Sequence, residues 1–241
     1  MEKKTFSFDI ILQPEFSSNA LVLIQEALRI SNQYRINEIF KSKLITVNAK
    51  KIRSSNGQWW KADGGLEAIK NPDFIIVIGG NLPVQKKSKK LFSTLRIAHK
   101  NSSKIIAVDT GAFLIAESGL INKETVVCTH WETKSNFIER YPDIKIVENI
   151  YTINANGLMF AAGGISTLDL ILECVKKIKG KAKIKSKELK GEESKTSSPE
   201  NYYGGNISSK EKGNKYKQLN KNKIAKEKLQ NKAQKHQSSP Y

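Results

Sequence analysis

Two short runs in this chain are apolar at every position, Phe74–Ile78 (FIIVI) and Ile105–Val108 (IIAV). A strand with one solvated face alternates apolar and polar residues, so an unbroken β-rich run has to be covered on both faces, as in the interior of a parallel sheet. Each run closes on a turn, Gly79-Gly80 after the first and Asp109-Thr110-Gly111 after the second. Between them, Lys86–Lys100 sets Leu91, Leu95 and Ala98 on one helical stripe with lysines elsewhere.

The rest of the chain extends the pattern. Thr5–Gln13 is a strand ended by Pro14, and a helix capped by Ser17 or Ser18 follows up to Tyr34, carrying Leu21, Ile24 and Leu28 at helical spacing. Lys43–Val47 is a second strand, and residues 51–60 form a hairpin around Asn56-Gly57. Beyond Asp109 the sequence predicts a helix over Ala112–Ser118 stopped by Gly119, a strand at Thr125–Thr129, a helix from Glu132 to Tyr141 and a strand at Ile144–Val147. A hairpin pair joined by Asn156-Gly157 and a last helix over Ser166–Lys177, after Gly163-Gly164, complete it. Strands alternating with helices predict an α/β fold, an open parallel sheet with helices on both faces.

Charge divides the chain in two. Residues 176–241 hold 19 Lys, no Arg and 6 Glu, which is +13 of the +18 net charge of the 241-residue protein. They also hold only seven Leu, Ile, Val or Phe, about a tenth of the positions, where a packed core needs roughly 20%. The expectation is a folded domain over 1–178 and a Lys-rich disordered tail over 179–241. No purely apolar run exceeds five residues, against the ~20 of a membrane helix. Lys3-Lys4, Asp9, Gln13 and Glu15 interrupt any signal-peptide core. A soluble, cytoplasmic protein without membrane attachment is expected. Cys128 and Cys174 show no paired spacing, and His99, His130 and His236 form no cluster. Neither a disulfide framework nor a metal site is encoded, and no cofactor is expected.

In an open α/β sheet the functional crevice lies at the carboxyl ends of the strands, near the point where strand order reverses. The junctions to inspect are Pro14-Glu15-Phe16-Ser17, Ile78-Gly79-Gly80 and Val108-Asp109-Thr110-Gly111. The third turns a buried strand straight into a helix and lifts one side chain onto a sharp elbow, where hydrolases carry Ser or Cys. Here that residue is Asp109. A carboxylate in that place can serve as nucleophile, base, ligand-binding group or helix cap. Gly79 and Gly80 offer backbone amides to a ligand oxygen, or simply the room for a tight turn. Cys128 and His130, two apart, can share a strand face as a Cys-His pair or be a buried thiol beside an unrelated imidazole.

Several of these segments together resemble a known family. The run Ile106-Ala-Val-Asp-Thr-Gly-Ala-Phe-Leu-Ile-Ala-Glu-Ser-Gly-Leu120 is followed by Thr129-His130-Trp131-Glu132, Arg140-Tyr-Pro-Asp143, Ala162-Gly163-Gly164 and Leu168-Asp169-Leu170. With Pro14-Glu-Phe-Ser-Ser18, Ala27-Leu28-Arg29 and Ser55-Asn56-Gly57, this order over roughly residues 5–177 is similar to the glutamine-amidotransferase-like domain of AraC-type transcriptional regulators, a branch of the PfpI superfamily. The resemblance implies a flavodoxin-like, class I glutamine-amidotransferase-like sandwich that dimerises and senses a metabolite. Enzymatic members place Cys then His at the elbow, supported by a Glu from the first strand's loop; Asp109, Thr110 and Ser17 stand at those positions here. The Asp-Thr-Gly-Ala-Phe elbow with His-Trp-Glu after it most resembles regulators of carnitine, choline and glycine-betaine metabolism. A quaternary ammonium is bound by a carboxylate and aromatic faces together. The candidate ligand-binding residues are accordingly Asp109, Thr110, Gly79, Gly80, Trp131 and Glu132, with Trp59 or Trp60 as further faces.

Relatives of this kind carry two helix-turn-helix units after the sensor domain. Seven large aliphatic residues in 66 are too few for two such cores, and Arg, the usual reader of guanine edges, is missing from the tail. The expectation is a non-enzymatic sensor domain of an AraC-type regulator, truncated or frame-shifted before its DNA-binding half, with weak, salt-sensitive and non-specific DNA contact through the tail. The alternative is a small hydrolase or lyase of the superfamily with an altered elbow.

Overall fold

The computed structural model describes residues 5–33, 38–81 and 88–188. The expected strand-helix alternation is present: β1 (Phe6–Leu12), α1 (Ser18–Gln33), β2 (Phe40–Ile45), β5 (Phe74–Ile78), α2 (Lys89–Lys100), β6 (Lys104–Val108), α3 (Gly111–Glu117), β10 (Leu158–Ala161) and α5 (Ile165–Glu188). Short elements intervene: β3 (Ile52–Arg53) with β4 (Trp59–Trp60), then β7 (Val126–Val127), α4 (Lys134–Arg140), β8 (Lys145–Ile146) and β9 (Tyr151–Ile153). The main sheet has the order β2-β1-β5-β6-β10-β9. Every pairing in it is parallel except β10 with β9, an antiparallel hairpin at one edge.

The two faces of the sheet are two cores. Phe8, Ile10 and Leu12 of β1, Ile76 and Ile78 of β5, and Ile106 and Val108 of β6 pack with α1 and α5. The alternate residues, Ile11, Ile75, Val77, Ile105 and Ala107, pack with α2, α3 and Phe137 of α4. Period-two alternation between two apolar layers is why the runs FIIVI and IIAV contain no polar position. Phe8 stacks on Phe74 across the strand pair at 4.5 Å between ring centroids. Truncating a fully buried ring like that of Phe8 to Ala costs about 3–5 kcal/mol.

Polar side chains set the turns. Asn32 at the end of α1 accepts from the amides of Ile39 and Phe40 at 3.0 Å each and donates to the Phe40 carbonyl at 2.8 Å, so it fixes where β2 starts. The hairpin of β3 and β4 pairs Ile52 with Trp60, with Gly57 of its turn at φ +88°. Glu117 of α3 is held by Arg140 and by the Tyr141 hydroxyl at 2.8 Å, which ties α3 to α4.

Three expectations are corrected. β2 begins at Phe40 and ends at Ile45 rather than spanning Lys43–Val47, because Thr46 turns away to bond Gly64 and Lys50. The strands expected at Thr125–Thr129 and Ile144–Val147 shrink to a two-residue parallel ladder, β7 with β8, outside the main sheet. β10 takes the place beside β6 instead. The last helix continues past Lys177 to Glu188, since Lys, Ala and Glu propagate a helix without burying a face. The rest of the Lys-rich tail, 189–241, lies outside the described residues. No described helix is long and apolar enough to cross a membrane.

Candidate functional site

The chain runs from β1 outward to β2 and then back across to β5, so strand order reverses between β1 and β5. The loops at the carboxyl ends of β1, β5 and β6 therefore meet at the crevice expected of such sheets. Phe16, after β1, is buried, and its backbone bridges Gly80 after β5 and Ser54 of the hairpin. Ser17 accepts the Ala20 amide at 3.4 Å and serves the start of α1.

The glycine pair is explained by packing. A Cβ on Gly79 would fall 2.2 Å from Thr110 Oγ1 and 2.3 Å from the Gly111 nitrogen, and one on Gly80 would fall 1.9 Å from the Pro14 carbonyl oxygen. The Gly79 amide donates to the Val108 carbonyl at 3.0 Å, so it is already used within the fold and does not offer itself to a ligand carboxylate. Thr110 is buried and its hydroxyl donates to the Gly80 carbonyl at 2.8 Å. Both residues build the elbow rather than line the crevice.

Asp109 sits on that elbow at φ +61°. Its amide donates to Ala161 of β10 at 3.0 Å, and its carbonyl accepts the Thr129 hydroxyl at 3.1 Å, so the strained residue is held from both sides. Thr110, not Asp109, stands at the N-cap of α3. The Asp109 carboxylate faces Gly163, where an added Cβ would lie 3.2 Å from Oδ2. Burial pushes its pKa up; His130 and a backbone hydrogen bond at Thr110 pull the other way, and the Glu132 charge adds to the rise.

His130, Trp131 and Glu132 follow Thr129 on a 3-10 turn. His130 Nδ1 lies 3.7 Å from Glu132 Oε2. The structure thus gathers Asp109, His130 and Glu132 into one electrostatic group. The aromatic faces are not gathered with them. Trp131 is 76% exposed and lies beside the His130 ring at 5.7 Å; Trp59 is 67% exposed. Trp60 packs edge-on against Phe16 and donates to Ser54 Oγ at 3.2 Å.

Cys128 and His130 do not make a nucleophile pair. The Cys128 thiol is buried, donates to the Phe160 carbonyl at 3.3 Å, and burial pushes its pKa up to about 11. Cys174 is pushed up to about 11 by burial as well. Among the described residues no group of His, Cys, Asp and Glu is arranged to hold a metal ion.

Three site residues were not singled out from the sequence: His130 as a neighbour of the carboxylate, Thr129 as its anchor, and Gly163 as its floor. Thr129 and Gly163 lie 20 and 54 positions from Asp109, and only folding brings them to it. Their presence in ordered motifs was the available signal.

An open, mostly parallel sheet with a strained side chain on a strand-to-helix elbow beside the switch point defines a flavodoxin-like sandwich with a PfpI-type site. The chain belongs to the DJ-1/PfpI family, whose pattern matches residues 10–177. It is similar to the HTH-type transcriptional regulator CdhR of Pseudomonas aeruginosa, 28% identical over 173 residues, 72% of this chain and 51% of that protein. The HTH-type transcriptional regulator GbdR of the same species is 22% identical over 169 residues, 70% of this chain and 46% of its own length. The chain spans about half the length of these curated relatives. Among solved structures, an AraC family transcriptional regulator from Pseudomonas putida superposes with a TM-score of 0.64 at 21% identity, covering 71% of this chain and 91% of that one. A putative transcriptional regulator from Vibrio parahaemolyticus gives 0.66 at 21% identity over 77% and 98%. At that identity these structures establish the fold.

Proposed function

We propose that this domain is the ligand-sensing part of an AraC-type transcriptional regulator, that it binds a small cationic or zwitterionic molecule through Asp109, and that it does not turn the ligand over. The observation that carries the reading is the Asp109 carboxylate, set on a strained elbow over Gly163 in the place where a superfamily enzyme holds its nucleophile. Two things support the absence of catalysis. The cysteines are buried with raised pKa values, and the His130 imidazole has no thiol to activate. The similarity to regulators over most of the described chain supports the sensing role. Carnitine, choline and glycine betaine are the ligands that the resemblance implies, and the domain works as a homodimer in this reading.

Calorimetry on the wild type and on Asp109→Asn tests it. The isostere keeps the shape of the elbow and removes the charge. Losing one charge-assisted contact should weaken binding by about 1–3 kcal/mol, roughly five- to 150-fold. Equal binding by both proteins would remove Asp109 from the site. Turnover of esters, amides or methylglyoxal that vanishes in Asp109→Ala would replace sensing by a hydrolase or lyase activity. Scattering that gives a monomer at about 50 micromolar would remove the dimer.

A further inference from the structure

We infer that the cation recognised at this site carries N–H donors, as a primary ammonium or guanidinium does, and is not a quaternary ammonium; the inference rests on the reading of Asp109 as a ligand-facing group. A trimethylammonium head has no hydrogen to donate and is held by aromatic faces closed around it. Those faces are absent around Asp109 among the described residues. Trp131 turns most of its surface to solvent beside the His130 ring, Trp59 is largely exposed on the hairpin, and Trp60 is committed to Phe16 and Ser54.

What surrounds Asp109 is polar. The segment that carries His130 and Glu132 is tied to the elbow by the Thr129 hydroxyl on the Asp109 carbonyl. Both the His130 ring and the Glu132 carboxylate are close enough to act on the Asp109 charge. Gly163, with no side chain, leaves the Asp109 oxygens a bare backbone floor. Two carboxylates on one elbow can each accept an N–H from the same cation, and such charge-assisted bonds are short, directional and about twice as strong as neutral ones. Methylating the nitrogen removes every such bond and also holds the charge farther from the oxygens.

The experiment uses ligand pairs that differ only in N-methylation: ethanolamine and choline, glycine and glycine betaine, 4-aminobutyrate and its trimethylated form. Each is titrated calorimetrically into the full chain and into Glu132→Gln and Trp131→Ala. In the pair that binds, the unmethylated member should be tighter by at least roughly tenfold, the effect of one hydrogen bond to a charged group. Glu132→Gln should narrow that gap, and Trp131→Ala should leave it within about twofold. A methylated member that binds as well or better, and that loses its affinity in Trp131→Ala, overturns the inference and restores an aromatic cage while keeping the sensing role. No binding by any of the six overturns Asp109 as the group that faces the ligand, and the inference falls with it.

Discussion

Gly163 and Gly164 offer a paired test of how the elbow is built. Both have positive φ, +112° and +55°, but their surroundings differ. A Cβ at Gly164 would meet nothing within 4 Å, whereas one at Gly163 would lie 3.2 Å from Asp109 Oδ2 and 3.4 Å from its Cγ. Gly164→Ala therefore carries only the left-handed strain of about 1 kcal/mol, offset by the 0.4–1 kcal/mol that Ala gains through a less disordered unfolded chain. Its net effect should be within about 0.5 kcal/mol. Gly163→Ala places a side chain at a φ outside the left-handed basin, at about 1–3 kcal/mol. It also pushes a carboxylate whose burial already disfavours its charge, so a net loss of roughly 1–3 kcal/mol is expected. In a domain of this size that lowers the melting temperature by roughly 3–10 °C. Thermal and urea unfolding of both variants measure the difference. Repeating Gly163→Ala in an Asp109→Gly background should recover about 1 kcal/mol, since the crowded carboxylate is gone. Equal losses at the two glycines, or no coupling to Asp109, would refute the placement of the carboxylate over Gly163.

Other outcomes follow from buried polar groups. Thr167 is fully buried and its hydroxyl has no hydrogen-bond partner, while Ser166 takes both the amide and the carbonyl of Gly163; Thr167→Val should stabilise by roughly 1–2 kcal/mol, seen as a higher urea midpoint at unchanged slope, and a lower midpoint would show that the hydroxyl is bonded through a buried water. Asp9 is 4% exposed in β1, and burial raises its pKa above the ordinary 3.8, with Lys43 opposing. A raised carboxylate favours the folded state when protonated, so its cost appears as pH rises from the unfolded value through the folded one. Asp9→Asn should be more stable than wild type at pH 7 by about 1–2 kcal/mol. That advantage should vanish below about pH 4; an advantage independent of pH would assign it to something other than the charge. Both cysteines should react slowly with thiol reagents at pH 7 in the native protein and rapidly once unfolded, and fast native modification of Cys128 would contradict its burial.

The local code of this chain was sufficient for its strands, its first helices and its elbow. FIIVI and IIAV can only be satisfied between two apolar layers, Asn-Gly pairs can only turn, and Asp109 follows a buried strand with no residue to spare before α3. Such features depend on neighbours a few positions away, and the periodicity of side chains reports them directly. Tertiary structure decided the rest. It gave β10 rather than the 125–129 segment the place beside β6, because competing strands of similar apolarity are ranked by packing across the whole sheet. It spent the Gly79 amide and the Thr110 hydroxyl on the fold's own carbonyls, left Trp131 facing solvent, and set His130, Glu132 and Gly163 around Asp109. These residues are far apart along the chain, and neither their distance nor their exposure is written in any local pattern. The residue types of a site are legible in sequence, but whether a donor is free, a ring is closed in or a carboxylate is crowded depends on contacts that exist only once the sheet has assembled.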